Sequence, residues 1–405
     1  MKHATPYKLL RVLSLVLALT FITAAFGACT DADSGHTAGT TADTTLETQA
    51  QTEQPEETTE AVTEWAPAVM NDPAKAEKIT ELLNTKHTLR VDENGNFKVL
   101  VLSDVQFDTP NISEETLNNI DTVISREQPD LVIFNGDNSF GLRREKDVKA
   151  YITNMTRYLE ENHIPWAHVY GNHDAENHDM RTSMVREKQQ VIYESFDYCV
   201  SKAGEEDLYG VGNFVLPVLE HDSDKIAFNI WCFDSGTSQI WDPNNTVDVI
   251  LEDNSFWSHY DTMEMNQVEW FKEASALLAE YNGGPVPGMM AFHIPLQESY
   301  YAWSAREEQD LEWSGERRGN ISAHAIDVPL FDAAKENRIL AIVNSHDHTN
   351  DFMVKYQGIR LCYTACIGTY EAHADDMLGG RVVEFNTVNP DDVSTYMSYV
   401  HPRTE

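Results

Sequence analysis

Basic residues are scarce. Lys and Arg number 29 against 66 Asp and Glu, a formal net charge of -37 over 405 residues. Such a surface repels phosphate backbones and excludes broad electrostatic binding to nucleic acid. One small phosphorylated substrate stays compatible, because a metal ion can invert the charge of a local site. Cysteines are also few: Cys29, Cys199, Cys232, Cys362 and Cys366. That number in a chain this long excludes a disulfide framework. Cys362 and Cys366 lie four residues apart in a strand-like stretch, about 13 Å along a strand. A bridge needs Cα atoms within about 7 Å, so packed, inert thiols are expected. No internal repeat is present, and no apolar run is long enough for an ordinary membrane span. Hydrophobic residues still make up 41% of the chain, enough for a sizeable core.

The longest apolar run is Val12 to Ala25, preceded by Lys2, Lys8 and Arg11. A basic start and about 14 apolar residues fit an export signal. The run ends in Phe26-Gly27-Ala28-Cys29. Small residues before a cysteine resemble the bacterial lipobox, in which the cysteine is lipidated and becomes the mature N-terminus. Phe26 departs from the usual aliphatic residue, and ordinary secretion with cleavage near Ala28 is the alternative. Both readings put the protein outside the cytoplasm. From Thr30 to about Glu64 the chain is Thr, Glu, Asp, Ala and Gln without Lys or Arg, too polar to offset chain entropy. The expected organisation is a signal peptide over 1–28, a flexible acidic tether over 29–70 and a folded domain over 71–405. The tether proper holds nine of the 66 acids, so the acidity belongs mainly to the domain.

Within that domain a helix is expected near Ala74 to Asn84. Phe97 to Leu102 is a buried-strand run that ends in Ser103-Asp104-Val105-Gln106. Leu117, Ile120, Val123 and Ile124 have helical spacing, and Asp130 to Phe134 is the next strand. It empties into Asn135-Gly136-Asp137-Asn138. Val148, Tyr151, Ile152, Met155 and Leu159 predict a second amphipathic helix, followed by the strand Ala167 to Tyr170 and Gly171-Asn172-His173-Asp174. This β-α-β-α-β order argues for parallel strands with helices covering the sheet. After a mid-region of mixed character, Met289 to Phe292 runs into His293, and Ile339 to Val343 runs into Asn344-Ser345-His346-Asp347-His348.

Carboxyl ends of parallel strands converge on one crevice. Five ends would therefore assemble Asp104, Asp137, Asn172, His293, His346 and His348. Packing alone does not explain such a set, because these residues are costly to bury without partners. Oxygen and imidazole donors without thiolate suit Mn, Fe or Zn in a catalytic site and argue against a closed structural zinc. Two ions a few Å apart need a bridging carboxylate, and Asp137 lies between the two groups.

These blocks resemble the calcineurin-like metallophosphoesterases, whose pattern is D-x-H, G-D, G-N-H-D/E, a lone His and G-H-x-H. Thr349-Asn350-Asp351 extends the resemblance to single-domain enzymes like the purple acid phosphatases. Weaker parallels are Val211-Gly212-Asn213-Phe214, Asp234-Ser235-Gly236, Gln267 to Phe271 and Gly379-Gly380-Arg381-Val382. The likeness implies an α/β fold, a four-layer αββα sandwich of two mixed β-sheets flanked by helices. It also implies two divalent ions. One would be held by Asp104, Asp137 and His348 with Gln106 as a weak carbonyl ligand, the other by Asp137, Asn172, His293 and His346. By the same likeness His173 faces the phosphate beside Asn172 and assists the leaving group, while hydroxide held between the ions attacks phosphorus.

Two positions depart from the pattern: Gln106 replaces a His, and Ser345 replaces a Gly. Phe140 stands where purple acid phosphatases carry a Tyr, which excludes a purple Fe(III) centre. Arg181, with Glu176 and His178, follows the third block and is a candidate phosphate clamp or a solvated loop charge. Tyr300, Tyr301 and Trp303 are candidates for an aromatic wall beside the leaving group or for simple packing. The expected function is an extracytoplasmic, lipid-anchored phosphoesterase acting on a small phosphomonoester or phosphodiester. The competing class is a surface lipoprotein that binds metal or phosphate with weak or no turnover, which Gln106 favours. Beyond the membrane anchor and a small phosphorylated substrate, the sequence names no partner.

Overall fold

The computed structural model describes residues 67–175, 184–237, 249–257 and 262–403. In chain order the strands are β1 (Leu89–Arg90), β2 (Asn96–Leu102), β3 (Leu131–Asn135), β4 (Trp166–Val169), β5 (Phe214–Leu219), β6 (Ile226–Cys232), β7 (Val249–Ile250), β8 (Phe256–Trp257), β9 (Gly288–Ala291), β10 (Trp313–Ser314), β11 (Ile339–Asn344), β12 (Met353–Tyr356), β13 (Ile359–Tyr363), β14 (Gly379–Asn386) and β15 (Val393–Tyr399). The helices are α1 (Pro73–Leu83), α2 (Glu114–Glu127), α3 (Glu145–Met155), α4 (Arg157–Glu161), α5 (Arg186–Tyr193), α6 (Met265–Asn282), α7 (Gln297–Ala305) and α8 (Leu330–Glu336).

Local chemistry sets their ends. Asp72 caps α1 by accepting from Ala74 N at 3.1 Å, with Pro73 at the first helical position. Ser113 Oγ accepts from Thr116 N and caps α2. The helix expected from Val148 through Leu159 breaks at Thr156, whose hydroxyl bonds the Ile152 carbonyl, and the chain restarts as α4.

Two mixed sheets form the interior. One runs β15-β14-β2-β3-β4, the other β1-β5-β6-β9-β11-β13-β12-β10. Strand periodicity assigns side chains to layers. Val99, Val101, Leu131 and Ile133 meet Leu216, Ile230, Met289, Ala291 and Val343 between the sheets. Leu100, Leu102, Val132 and Phe134 point the other way, onto Ile120, Val123 and Ile124 of α2 and Val148 and Ile152 of α3. On the far side Trp231, Met290 and Ile342 pack beneath Val268, Phe271 and Leu278 of α6 and Leu330 of α8. The layers are therefore α, β, β, α, as the resemblance implies.

The parallel runs β2-β3-β4 and β6-β9-β11 keep their carboxyl ends level. Leu102 pairs with Phe134 and Asn135 with Val169 in one sheet, and Ala291 pairs with Val343 in the other. Each next loop opens at the same end of the sandwich.

Candidate metal centre

Backbone conformation marks the loops beyond those strand ends. Asp104, Gln106, Asp137 and His346 all have positive φ, between 47° and 75°. L-residues rarely adopt this region, and it is tolerated where the surroundings over-determine it. Gly136, at φ 90°, could not carry a side chain, because a Cβ would lie 2.6 Å from the His293 ring. A Cβ at Gly171 would collide with the Asp137 carboxylate. These glycines let loops from the two sheets close on one point.

Asp137 is the hub. Its Oδ1 accepts from the His173 backbone N at 2.7 Å. Its Oδ2 accepts from Gln106 Nε2 at 3.1 Å and lies 2.9 Å from His293 Nε2. His346 Nδ1 stands 3.3 Å from His293 Nε2. Among the described residues, Asp137, His293 and His346 offer donor atoms within 4.8 Å of one another. A second grouping joins them: His348 Nε2 lies 3.3 Å from Asp104 Oδ1, and His293 Nε2 lies 3.9 Å from the same oxygen. Carbonyl groups orient both imidazoles. His293 Nδ1 lies 3.0 Å from Asn135 O, and His348 Nδ1 lies 2.7 Å from Ala372 O, leaving each Nε2 for the centre.

Both Asp104 oxygens are buried without a well-formed hydrogen bond, Oδ1 having only the His348 and His293 imidazoles beside it, and Gln106 Oε1 is buried without a partner. Buried acceptors without donors cost about 1–3 kcal/mol each, so their clustering fits atoms reserved for cations. The donor set is hard oxygen plus imidazole, which fits divalent Mn, Fe or Zn.

Charge is balanced within the cluster. Burial opposes ionisation of Asp137, but His293 and His173 reverse it and hold the carboxyl well below its ordinary range. Burial likewise opposes charge on His293, yet Asp137 and Asp104 hold its pKa up to about 9. His348 is lifted to about 9 against burial, chiefly by Asp104. His346 is pushed down by burial and by His293, which leaves it neutral, the form that ligates metal. Asp174 rises to about 7 through burial and the Asp137 charge. Its oxygens accept from Ser139 N and Gly171 N, each at 2.8 Å, and pin the β3 and β4 loops together.

His173 is half-buried and stacks on Phe140, ring centroids 4.7 Å apart at 21°. Asn172 is buried on the loop after β4. The weaker sequence parallels have a structural job. Gln267 Nε2 donates to Asn213 Oδ1 at 2.7 Å and to Asp234 O at 2.8 Å. Asp234 pairs with the buried Arg186, whose second nitrogen donates to Gly171 O just before Asn172. Arg381 spends its guanidinium on the carbonyls of Tyr363 and Asp351. Asp347, between the two histidines, accepts from Ser322 and from Tyr363 OH.

Tyr300 and Tyr301 sit on α7 and pack edge-on against Trp257, while Trp303 packs against Phe352 and Trp313. These contacts are packing rather than a loop-borne wall. Cys199, Cys232, Cys362 and Cys366 are free and buried. Arg181, Glu176, His178 and Cys29 lie outside the described residues. Sequence reasoning named Asn135 and Asp174 within their blocks without giving them a role, and missed Arg186. Asn135 left one signal, a polar residue closing the apolar run Leu131–Asn135.

The family model for calcineurin-like phosphoesterase matches residues 97–350. The chain is 26% identical over 315 residues to "probable inactive purple acid phosphatase 14" of Arabidopsis thaliana, covering 70% of this chain and 73% of that protein. It is 25% identical over 317 residues to "probable inactive purple acid phosphatase 29" of the same plant, covering 71% and 76%. A solved dimetal phosphatase from Danio rerio aligns over 74% of this chain and 98% of its own, at 12% identity and a TM-score of 0.47.

Proposed function

This chain belongs to the calcineurin-like phosphoesterase family, hydrolases of phosphoester bonds, and we propose that it is a two-metal phosphoesterase working outside the cytoplasm. Its substrate is a small phosphomonoester or phosphodiester, and lipidated Cys29 anchors it to the membrane. Residues 1–28 would act as the export signal, 29–70 as the tether and 71–405 as the catalytic domain, except that Ala68–Asn71 is a short 3-10 helix whose Val69 is buried in the domain core, so the domain begins a few residues earlier than expected. The observation that carries the site assignment is the buried pair Asp104 and Gln106, whose Oδ2 and Oε1 have no hydrogen-bond partner, with Asp104 Oδ1 facing the His293 and His348 imidazoles of the second sheet.

Asp104, Asp137 and His348, with Gln106 Oε1, would hold one ion. Asp137, Asn172, His293 and His346 would hold the other. When bound, such ions supply a nucleophile at neutral pH and neutralise charge spreading over the phosphoryl oxygens. The protein supplies the rest. Asp137 is fixed by His173 N and Gln106 Nε2, so its carboxylate is oriented before any ligand arrives. Asn172 and His173 face the phosphate, and the His173 ring, steadied by Phe140, gives its proton to the leaving oxygen. Arg181 is the candidate clamp on a non-bridging oxygen.

A second reading, a weak or inactive metal- or phosphate-binding lipoprotein, is favoured by Gln106 and by the "probable inactive" in both plant relatives' names. The deciding experiment is an activity screen of the protein reconstituted with Mn, Zn or Fe across phosphomonoesters and phosphodiesters. Metal-dependent turnover of either class supports the enzyme. Two bound ions without turnover of any ester select the binder.

A further inference from the structure

Asn135 ends β3 beneath the metal centre and is fully buried. Its Nδ2 donates to the carbonyls of Phe292 at 3.0 Å and Val343 at 3.3 Å and to Ser345 Oγ at 3.2 Å. All three acceptors belong to the ends of β9 and β11, in the opposite sheet. Three acceptors around one nitrogen also settle which way the amide points. The Asn135 carbonyl accepts from Ser103 Oγ at 3.1 Å, just past β2, and from Ser345 Oγ at 2.8 Å. It lies 3.0 Å from His293 Nδ1, and Ser345 Oγ lies 2.9 Å from the same nitrogen. One asparagine and one serine thus touch the ends of β2, β3, β9 and β11, the strands that deliver Asp104, Asp137, His293 and His346.

We propose that Asn135 and Ser345 are a positioning pair that ties the two sheets together at their ligand-bearing ends and turns His293 Nε2 onto Asp137. The inference rests on the two-ion reading above. Asp104 and Asp137 come from one sheet and His293 and His346 from the other, so the spacing between ligand groups depends on how the sheets are held. Apolar packing between sheets tolerates small slides, because it is non-directional. Directed hydrogen bonds do not. Packing alone would not select an amide here: Asn135 Oδ1 is buried without a hydrogen-bond partner, a cost that an apolar side chain of similar size avoids. The serine hydroxyl gives the His293 ring a second contact that a glycine at 345 lacks.

Zn2+ titrated into the metal-free, full-length protein against a chromophoric chelator reads affinity and stoichiometry without any activity. The parent should take up two ions. Asn135→Leu and Ser345→Ala should each weaken the site containing His293 by about 10- to 100-fold, while the melting temperature of the metal-free protein holds or rises. The double variant should lose little more than the worse single variant, because the two side chains act as one unit. Should Asn135→Leu fail to fold, Ser345→Ala and Ser345→Gly carry the same test. Zn2+ affinities equal to the parent's in the folded variants overturn the pair, whether or not the melting temperature falls. A parent that binds no Zn2+ overturns the two-ion reading instead.

Discussion

Asp137 takes part in three polar contacts at once, with His173 N, Gln106 Nε2 and His293 Nε2. No other carboxylate in the centre touches both ligand groups so closely. Asp137→Ala should therefore cut activity by more than the roughly 100-fold that a supporting residue commands. Circular dichroism should show the fold kept, because the core layers do not depend on this side chain. Gln106 calls for a different expectation. Its amide nitrogen is spent on Asp137, so only a neutral carbonyl oxygen is left for the proposed first ion, a weaker donor than imidazole. The parent should show one tight and one weak site by titration calorimetry, with activity still rising after the tight site fills. Gln106→His should bring the two affinities together; two equally tight sites in the parent would remove Gln106 from the account.

At the level of elements, α7 carries Glu298, whose Oε2 is buried without a hydrogen-bond partner. Burial, reinforced by Asp327 and Asp332 and only partly relieved by Lys335, lifts its pKa from 4.5 to about 7. Between those values the folded state holds a proton that the unfolded chain has lost. Stability therefore falls as pH climbs through that window, and the full penalty stands above it. Glu298→Gln should raise the melting temperature at pH 8 and leave it nearly unchanged at pH 4, a comparison that calorimetry makes directly. The elements themselves were largely legible in the sequence. Val99 to Leu102 and Leu131 to Phe134 are continuous apolar runs, and the ligand residues follow each run by two or three positions. What stayed hidden was non-local. Nothing near Arg381 says that it pairs with Val101, so that β14 enters beside β2 and mixes the first sheet. Asn135 reads locally as a strand end, and its partners Phe292 and Val343 are more than 150 residues away. The break at Thr156, between α3 and α4, left no mark on an otherwise good helical period.

For the molecule as a whole, a charge of -37 and the proposed acidic tether would suit an enzyme held off a surface and fed by diffusion of small substrates. Among the described residues no helix is long and apolar enough to cross a membrane; the proposed anchor is lipidated Cys29. In the native host, labelled lipid should enter the protein, and Cys29→Ala should release it to the medium; a variant that stays membrane-bound would require another anchor. The inter-sheet asparagine carries one more consequence, in chemical ageing. Asn135 precedes Gly136, the neighbour least able to obstruct attack of the next backbone nitrogen on the side-chain amide, which expels ammonia and closes a succinimide that water then opens to aspartate or isoaspartate. In the folded protein that amide is buried and tied to the opposite sheet, whereas Asn94, before Gly95, is exposed on a turn. Peptide mass mapping of protein stored at neutral pH should find Asn94 converted early and Asn135 intact. Brief heating through the unfolding transition should convert Asn135 as well, and the refolded chains that carry the change should be those whose site containing His293 binds metal more weakly.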